Sequence, residues 1–246
     1  MIYSPLEQFE IKPLLMINGN MTYSLTNYVI YVMLVMSFIY GYYLLTQNVK
    51  LGWTRWGLAI NAMFDTMLNM VNSQMGNKGG YYFPLMFTLF NFILLANLIS
   101  MMPYSFAMSA QMMAMMSLSL TLWFGMTIIG LVKHGAGFFA LFVPSGTPIV
   151  LVPMTVLIET LSYSSRAMSL GLRLSANVLS GHLLMLMLGS LMFNLMSISL
   201  FSFIGGIIPM IAVVLIVMLE VGMSMMQAYV FCILFSGYLK DSMDLH

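Results

Sequence analysis

The sequence predicts an all-α, polytopic membrane protein, and three observations carry that expectation. Of 246 residues, 61% are hydrophobic and 6% are charged, and the mean hydropathy is +0.96; soluble domains of this length do not have that balance. Apolar runs of about 20 residues, enough to cross roughly 30 Å of hydrocarbon as a helix, recur along the chain. Arg173 and Glu220 stand inside two such apolar stretches. An ionised side chain at bilayer depth costs from about 3 to more than 10 kcal/mol unless water or a partner compensates it, so a buried pair of this kind points to ion movement.

The first span expected is 25–46, the second 83–102 and the third 106–132, all without charge. Between the first two, over 52–76, Trp53, Trp56, Ile60, Met63, Phe64, Met67 and Met70 fall at helical spacing among Arg55, Asn61, Asp65, Asn69 and Asn72. That pattern predicts an amphipathic helix lying in the interface. Asn77-Lys78-Gly79-Gly80 ends it, and Phe142 to Pro148 forms a second breaker-rich loop. Beyond it, two long apolar segments, 149–190 and 193–240, are expected to form a membrane hairpin, preceded by a tail over 1–24. Each is too long for one upright crossing: at about 1.5 Å per residue the first would span roughly 60 Å. Either each breaks into two crossings or both are steeply tilted. Pro209, Gly205 and Gly206 permit a break in the second, whereas Pro153 lies near the start of the first, where proline is tolerated. No repeat or linker divides the chain, which is read as one domain.

With five crossings, Lys50, Arg55, Lys78, Lys133 and Lys240 fall on one side, and the tail with Glu7 and Glu10 falls on the other. The start, Met1 to Lys12, lacks the features of a signal peptide and is too acidic for a transit peptide, so no import address is expected. A net charge of +1 offers no surface for nucleic acid. One cysteine, Cys232, excludes an internal disulfide framework, and three scattered histidines give metal, haem or other cofactor sites little support. Thirty methionines suggest the codon bias of an organellar genome, the plainer alternative being that Met fills irregular contacts; the compartment of the gene decides between them.

At 100° per residue, Glu159, Ser162, Arg166, Ser169, Arg173, Asn177 and Ser180 share one helical face within about 40° of Arg173. The serines are expected to bridge neighbouring helices. Arg173 keeps its charge under all plausible conditions, so it can repel cations and attract a carboxylate but cannot carry a proton. His182 points to the opposite side and is expected to meet Glu220, which shares a face with Ser224, Gln227 and Tyr238, with Asp241 about 60° away. A histidine and a carboxylate at membrane depth can exchange protons near neutral pH; the alternative is a static buried pair. Arg166 is expected to snorkel or to neutralise Glu159. His134 reads as an interfacial loop residue and His246 as part of an exposed terminus.

The motif Arg173-Leu-Ser-Ala-Asn177 followed by Gly181-His182 closely resembles the subunit a (subunit 6) family of mitochondrial F-type ATP synthases. Ser4 to Glu10, Phe87 to Phe106, Pro144 to Pro148, Ile158 to Tyr163 and Tyr238 to Asp241 resemble its fungal form, so the likeness covers the whole length. The resemblance implies a proton-translocating stator subunit of the mitochondrial inner membrane, with the N-terminus in the intermembrane space and the C-terminus in the matrix. It implies partnership with a c-ring of membrane carboxylates and with other stator and membrane subunits. It also implies a tilted hairpin that curves around the ring. Arg173 would separate two aqueous half-channels and promote loss of a proton from the ring carboxylate. Asn177 and Gln227 would position Arg173 and water, His182 and Glu220 would form the uptake relay, and Glu159 and Asp241 the exit. Ser180, where many relatives have alanine, and Arg166, which is not general in the family, are departures.

Readings from other classes are an antiporter-like subunit of a redox complex, an intramembrane enzyme and a scaffold. The first predicts inverted repeats, and none is apparent. The second needs a catalytic dyad or a metal motif such as His-Glu-x-x-His, which the sequence lacks. A scaffold leaves the buried Arg173 and Glu220 unexplained.

Overall fold

Long runs of Leu, Met, Ile and Phe with few interior breakers build six α-helices among the described residues, which in this computed structural model are 7–16, 24–47, 55–102, 105–143, 148–198 and 205–243. They are α1 (Asn27–Gln47), α2 (Arg55–Met75), α3 (Phe83–Ser100), α4 (Met112–His134), α5 (Val152–Ile198) and α6 (Ile207–Met243). All except α2 are long and apolar enough to cross a membrane. The protein is a polytopic, almost wholly helical membrane fold.

The tail carries one addition that an all-α expectation omits. Strands β1 (Pro13–Met16) and β2 (Ser24–Thr26) pair antiparallel, and Asn27 ties them to α1: its Oδ1 accepts from the backbone N–H of Tyr28 (2.9 Å) and of Lys12 (3.2 Å). This is the usual role of Asn at a helix start, satisfying N–H groups that have no partner within the helix.

Helix α2 divides as its pattern requires. Met67, Met70, Val71 and Met75 are buried, while Asn61, Asp65, Asn69 and Asn72 are exposed. The buried stripe packs into the main core, with Met86 of α3 and Phe231, Phe235, Leu239 and Met243 of α6. Trp53, Lys50, residues 144–147 and His246 lie outside the described residues, as do the side chains of Arg55, Trp56 and Lys78.

The third apolar run does not become helical at Phe106. Phe106 to Ala110 are buried, with a short 3-10 turn over Met108–Ala110, and α4 begins at Met112. The backbone remains satisfied through Ala110 N–H to Ala107 O and Gln111 N–H to Met108 O, both 3.3 Å. Hydropathy alone cannot separate such a buried connector from a span. At its other end α4 stops at His134 because Gly135 takes a positive φ of 56°. His134 is therefore helical rather than part of a loop. Its Nε2 and the Lys133 Nζ each lie 2.9 Å from the Met243 carbonyl, placing cationic or donor groups on the C-terminus of α6.

Of the two explanations for the overlong hairpin, the continuous helix holds. Helix α5 runs unbroken for 47 residues, about 70 Å, and α6 for 37, about 55 Å. The first continues past 190 to Ile198 because no breaker precedes Gly205-Gly206, and Pro209 falls harmlessly in the first turn of α6. Helices of that length fit a 30 Å hydrocarbon layer only when tilted steeply. They pack antiparallel, and α4 lies close against α5: a Cβ on Gly171 would come within 2.8 Å of the Met115 carbonyl and 2.5 Å of the Ser119 hydroxyl. Small residues at that crossing let the backbones approach.

Candidate functional site

Arg173 lies near the middle of α5, on its exposed side, and its guanidinium forms no ion pair among the described residues. Around it the hairpin divides its polar residues into two groups. Toward the N-terminal end of α5, Arg166 lies 4.0 Å from a Glu159 oxygen and 6.0 Å from the centre of the Tyr238 ring, so it neutralises Glu159 and also stacks on α6. Asp241 and Arg166 are both close enough to Tyr163 to act on it electrostatically, although Asp241 itself is exposed. This group is roughly 10 to 20 Å along the helix from Arg173.

On the other side, one turn from Arg173, Asn177 donates from Nδ2 to Gln227 Oε1 at 3.2 Å, linking α5 to α6. Farther on, Glu220 is 7% exposed and His182 8%. The expected meeting of these two takes a different form. The Glu220 carboxylate sits against the backbone of Gly181, where a Cβ would collide with it, and no hydrogen bond joins it to the imidazole. His182 instead lies edge-on to Phe9, with ring centroids 6.2 Å apart. Helical-wheel reasoning places two residues on facing sides, but it cannot specify which of two consecutive positions a long side chain meets.

Both Glu220 oxygens, His182 Nε2 and Gln227 Nε2 are buried without a protein partner among the described residues. A cavity of about 20 Å³ bordered by Asn177, Glu220, Ser224, Gln227, Met101 and Met223 adjoins the glutamate and the glutamine. That volume admits one water molecule, and water is the natural partner for such groups. Among the described residues no three His, Cys, Asp or Glu side chains gather into a metal-sized cluster.

Two of the serines expected to bridge helices do not. Ser169 and Ser180 are exposed, and each donates to a carbonyl of its own helix, Arg166 O at 2.9 Å and Asn177 O at 3.0 Å. Hydroxyls satisfy themselves in this way when no partner faces them. The polar helix contacts that sequence reasoning missed come from α3 and the connector: Asn97 Nδ2 to Ser224 O at 3.2 Å, Ser100 Oγ to Ser109 Oγ at 3.1 Å, and Gln111 Nε2 to Phe9 O at 2.6 Å. The signal available was Asn and Gln within or bordering otherwise apolar runs.

The family model of the ATP synthase A chain matches residues 26–240. The chain belongs to the ATP synthase A chain family. ATP synthase subunit a of Candida albicans is 65% identical to it over 246 residues, with all of both chains covered. The Debaryomyces hansenii protein of the same name is also 65% identical over 246 residues, and that of Saccharomyces cerevisiae is 49% identical over 251 residues, covering 100% of this chain and 97% of its own. As a member of the A chain family, the protein is a multi-pass inner-membrane, proton-translocating subunit of the ATP synthase membrane sector.

Proposed function

We propose that this chain guides protons to and from a rotating c-ring through two offset half-channels, with Arg173 as the barrier between them. The observation that carries this is the exposed position of Arg173 at mid-length of a membrane helix, without an ion pair among the described residues. A guanidinium in that position calls for a carboxylate from outside the chain. A ring carboxylate arriving beside it is favoured in its ionised form and releases its proton, and the positive charge opposes direct passage of a proton. Each proton that falls through 100 mV releases about 2.3 kcal/mol, so several per turn drive rotation.

In this scheme His182 and Glu220 take up protons, Asn177 and Gln227 hold Arg173 and water in place, and Glu159 and Asp241 release protons. Their separation along the hairpin supports two offset paths: Asn177, Gln227, Glu220 and His182 lie to one side of Arg173, and Glu159, Arg166 and Asp241 to the other. The uptake end adjoins Phe9 of the tail, while Lys133 and Lys240 stand at the opposite end with Met243. By the positive-inside rule this supports an N-terminus in the intermembrane space and a C-terminus in the matrix of a mitochondrion. The remaining stator and membrane subunits would cover the lipid-facing surface.

The test is ATP-driven proton pumping and ATP synthesis in membranes carrying Arg173→Ala, with the amount of assembled complex measured in the same samples. Loss of both activities in an assembled complex is expected. Coupled synthesis at the wild-type rate would return Arg173 to a structural role.

A further inference from the structure

Asn97 is fully buried near the C-terminal end of α3, in contact with a helix more than a hundred residues away in sequence. Its Nδ2 donates to the backbone carbonyl of Ser224 at 3.2 Å, while its Oδ1 is buried without a partner among the described residues. Ser224 lies one turn beyond Glu220 on α6, and its own hydroxyl turns back to Val221 O at 2.8 Å. The amide therefore grips the backbone of α6 and not a side chain that could rotate away. The same turn of α3 is tied to α5 through the connector, since Ser100 Oγ donates to Asn97 O at 2.7 Å and lies 3.1 Å from Ser109 Oγ, and Ala107 and Ala110 on either side of Ser109 pack with Val178 of α5.

Packing does not require an amide at this position. Helices α3 and α6 already meet through Met86, Phe90 and Ile93 against Ala228, Phe231 and Cys232. An apolar residue of similar size would bury no unpaired oxygen there, and burying one is costly. What the amide adds is registration, because a hydrogen bond to a backbone carbonyl sets the depth of α6 relative to α3 and α5 more narrowly than sliding apolar surfaces do.

We propose that Asn97 is a positioning residue for Glu220. By holding α6 at Ser224 it keeps the Glu220 carboxylate seated against Gly181. The proposal rests on the reading of Glu220 as part of the uptake path.

The test uses the complete ATP synthase in inner-membrane vesicles, with Asn97→Leu, Asn97→Ser, Glu220→Gln and the doubles carrying Glu220→Gln. Assembled complex is quantified, and ATP-driven pumping is measured from pH 6 to 9 above an Arg173→Ala baseline. Assembly within about twofold of wild type is expected for both Asn97 variants. Pumping per complex should fall about tenfold in Asn97→Leu, with the pH profile altered in the same sense as in Glu220→Gln, and each double should pump no more slowly than Glu220→Gln alone.

Three results overturn the proposal: full pumping per complex in both Asn97 variants, losses that multiply with that of Glu220→Gln, or failure of both Asn97 variants to assemble, which would mark a purely structural contact. If Glu220→Gln itself pumps at the wild-type rate, the uptake role of Glu220 falls first and the positioning role falls with it.

Discussion

Replacing Gly181 with alanine places a methyl group where the Glu220 side chain lies. The added Cβ would be 2.7 Å from Glu220 Cγ and closer still to the carboxylate. Ordinary contact begins near 3.4 Å, so Cγ must retreat by about 0.7 Å or the helices must part by a similar amount. Turning only the terminal carboxylate cannot relieve a clash that reaches Cγ. Overpacking of this kind costs about 1–3 kcal/mol, and a shift near 1 Å in a reacting group can slow a step about a hundredfold. Proton pumping per assembled complex is therefore expected to fall between about tenfold and a hundredfold in Gly181→Ala, since each 1.4 kcal/mol is about a factor of ten. Gly189→Ala on the same helix and Gly222→Ala on α6 are the controls, because a Cβ at either meets nothing within 4 Å. Pumping in inner-membrane vesicles, normalised to assembled complex, is the assay. If Gly181→Ala pumps within twofold of the Gly189→Ala control, the seat of Glu220 against Gly181 has no part in proton transfer.

Four further substitutions test other contacts. Gly171→Val should reduce the amount of assembled complex severalfold, because its side chain would enter the Met115 carbonyl and the Ser119 hydroxyl of α4; normal levels in a blot of native complexes would contradict the close α4–α5 crossing. Asn177→Leu and Gln227→Leu should each slow pumping, and the double variant should be no worse than the more severe single, with a coupling of about 1 kcal/mol from their 3.2 Å hydrogen bond. Additive losses would mean that the two amides act independently. Gly135→Ala should lower the thermal stability of the complex, at a local cost of about 1–3 kcal/mol, since its φ of 56° suits only glycine; an unchanged melting temperature would show that the end of α4 relaxes freely.

The helices were legible because their signals are local. Long apolar runs and the helical spacing of Met63, Met67 and Met70 can be read without knowing what packs where, whereas the basic end of α4 reads as a loop at His134, which is helical. Phe106 to Ala110 misled because a buried connector and a membrane helix are equally apolar. The end of α5 was set too early because nothing between Gly189 and Ile198 forces helix termination. In the candidate site, Arg173, Glu220 and His182 could be chosen from charge at membrane depth, and Asn177 and Gln227 took a role from the family resemblance. Their contacts could not be read in either way, as Asn97, Ser100 and Gln111 illustrate: each is one polar residue in or beside an apolar run until another helix arrives.

Composition and spacing are enough to place the chain in a membrane, to make it helical, and to give its second half one polar face with an arginine that has to be compensated. Those properties follow from transfer free energies and helical periodicity, which depend on composition and spacing within a segment. The packed helices were needed to show that α5 and α6 run unbroken, that Glu220 rests on Gly181 while His182 turns to Phe9, and that Arg173 looks outward while Asn177 reaches inward to Gln227. These outcomes depend on the depth and rotation at which helices pack. Side-chain volume and interhelical hydrogen bonds between residues far apart in sequence set that depth and rotation, and no periodicity within one segment encodes them.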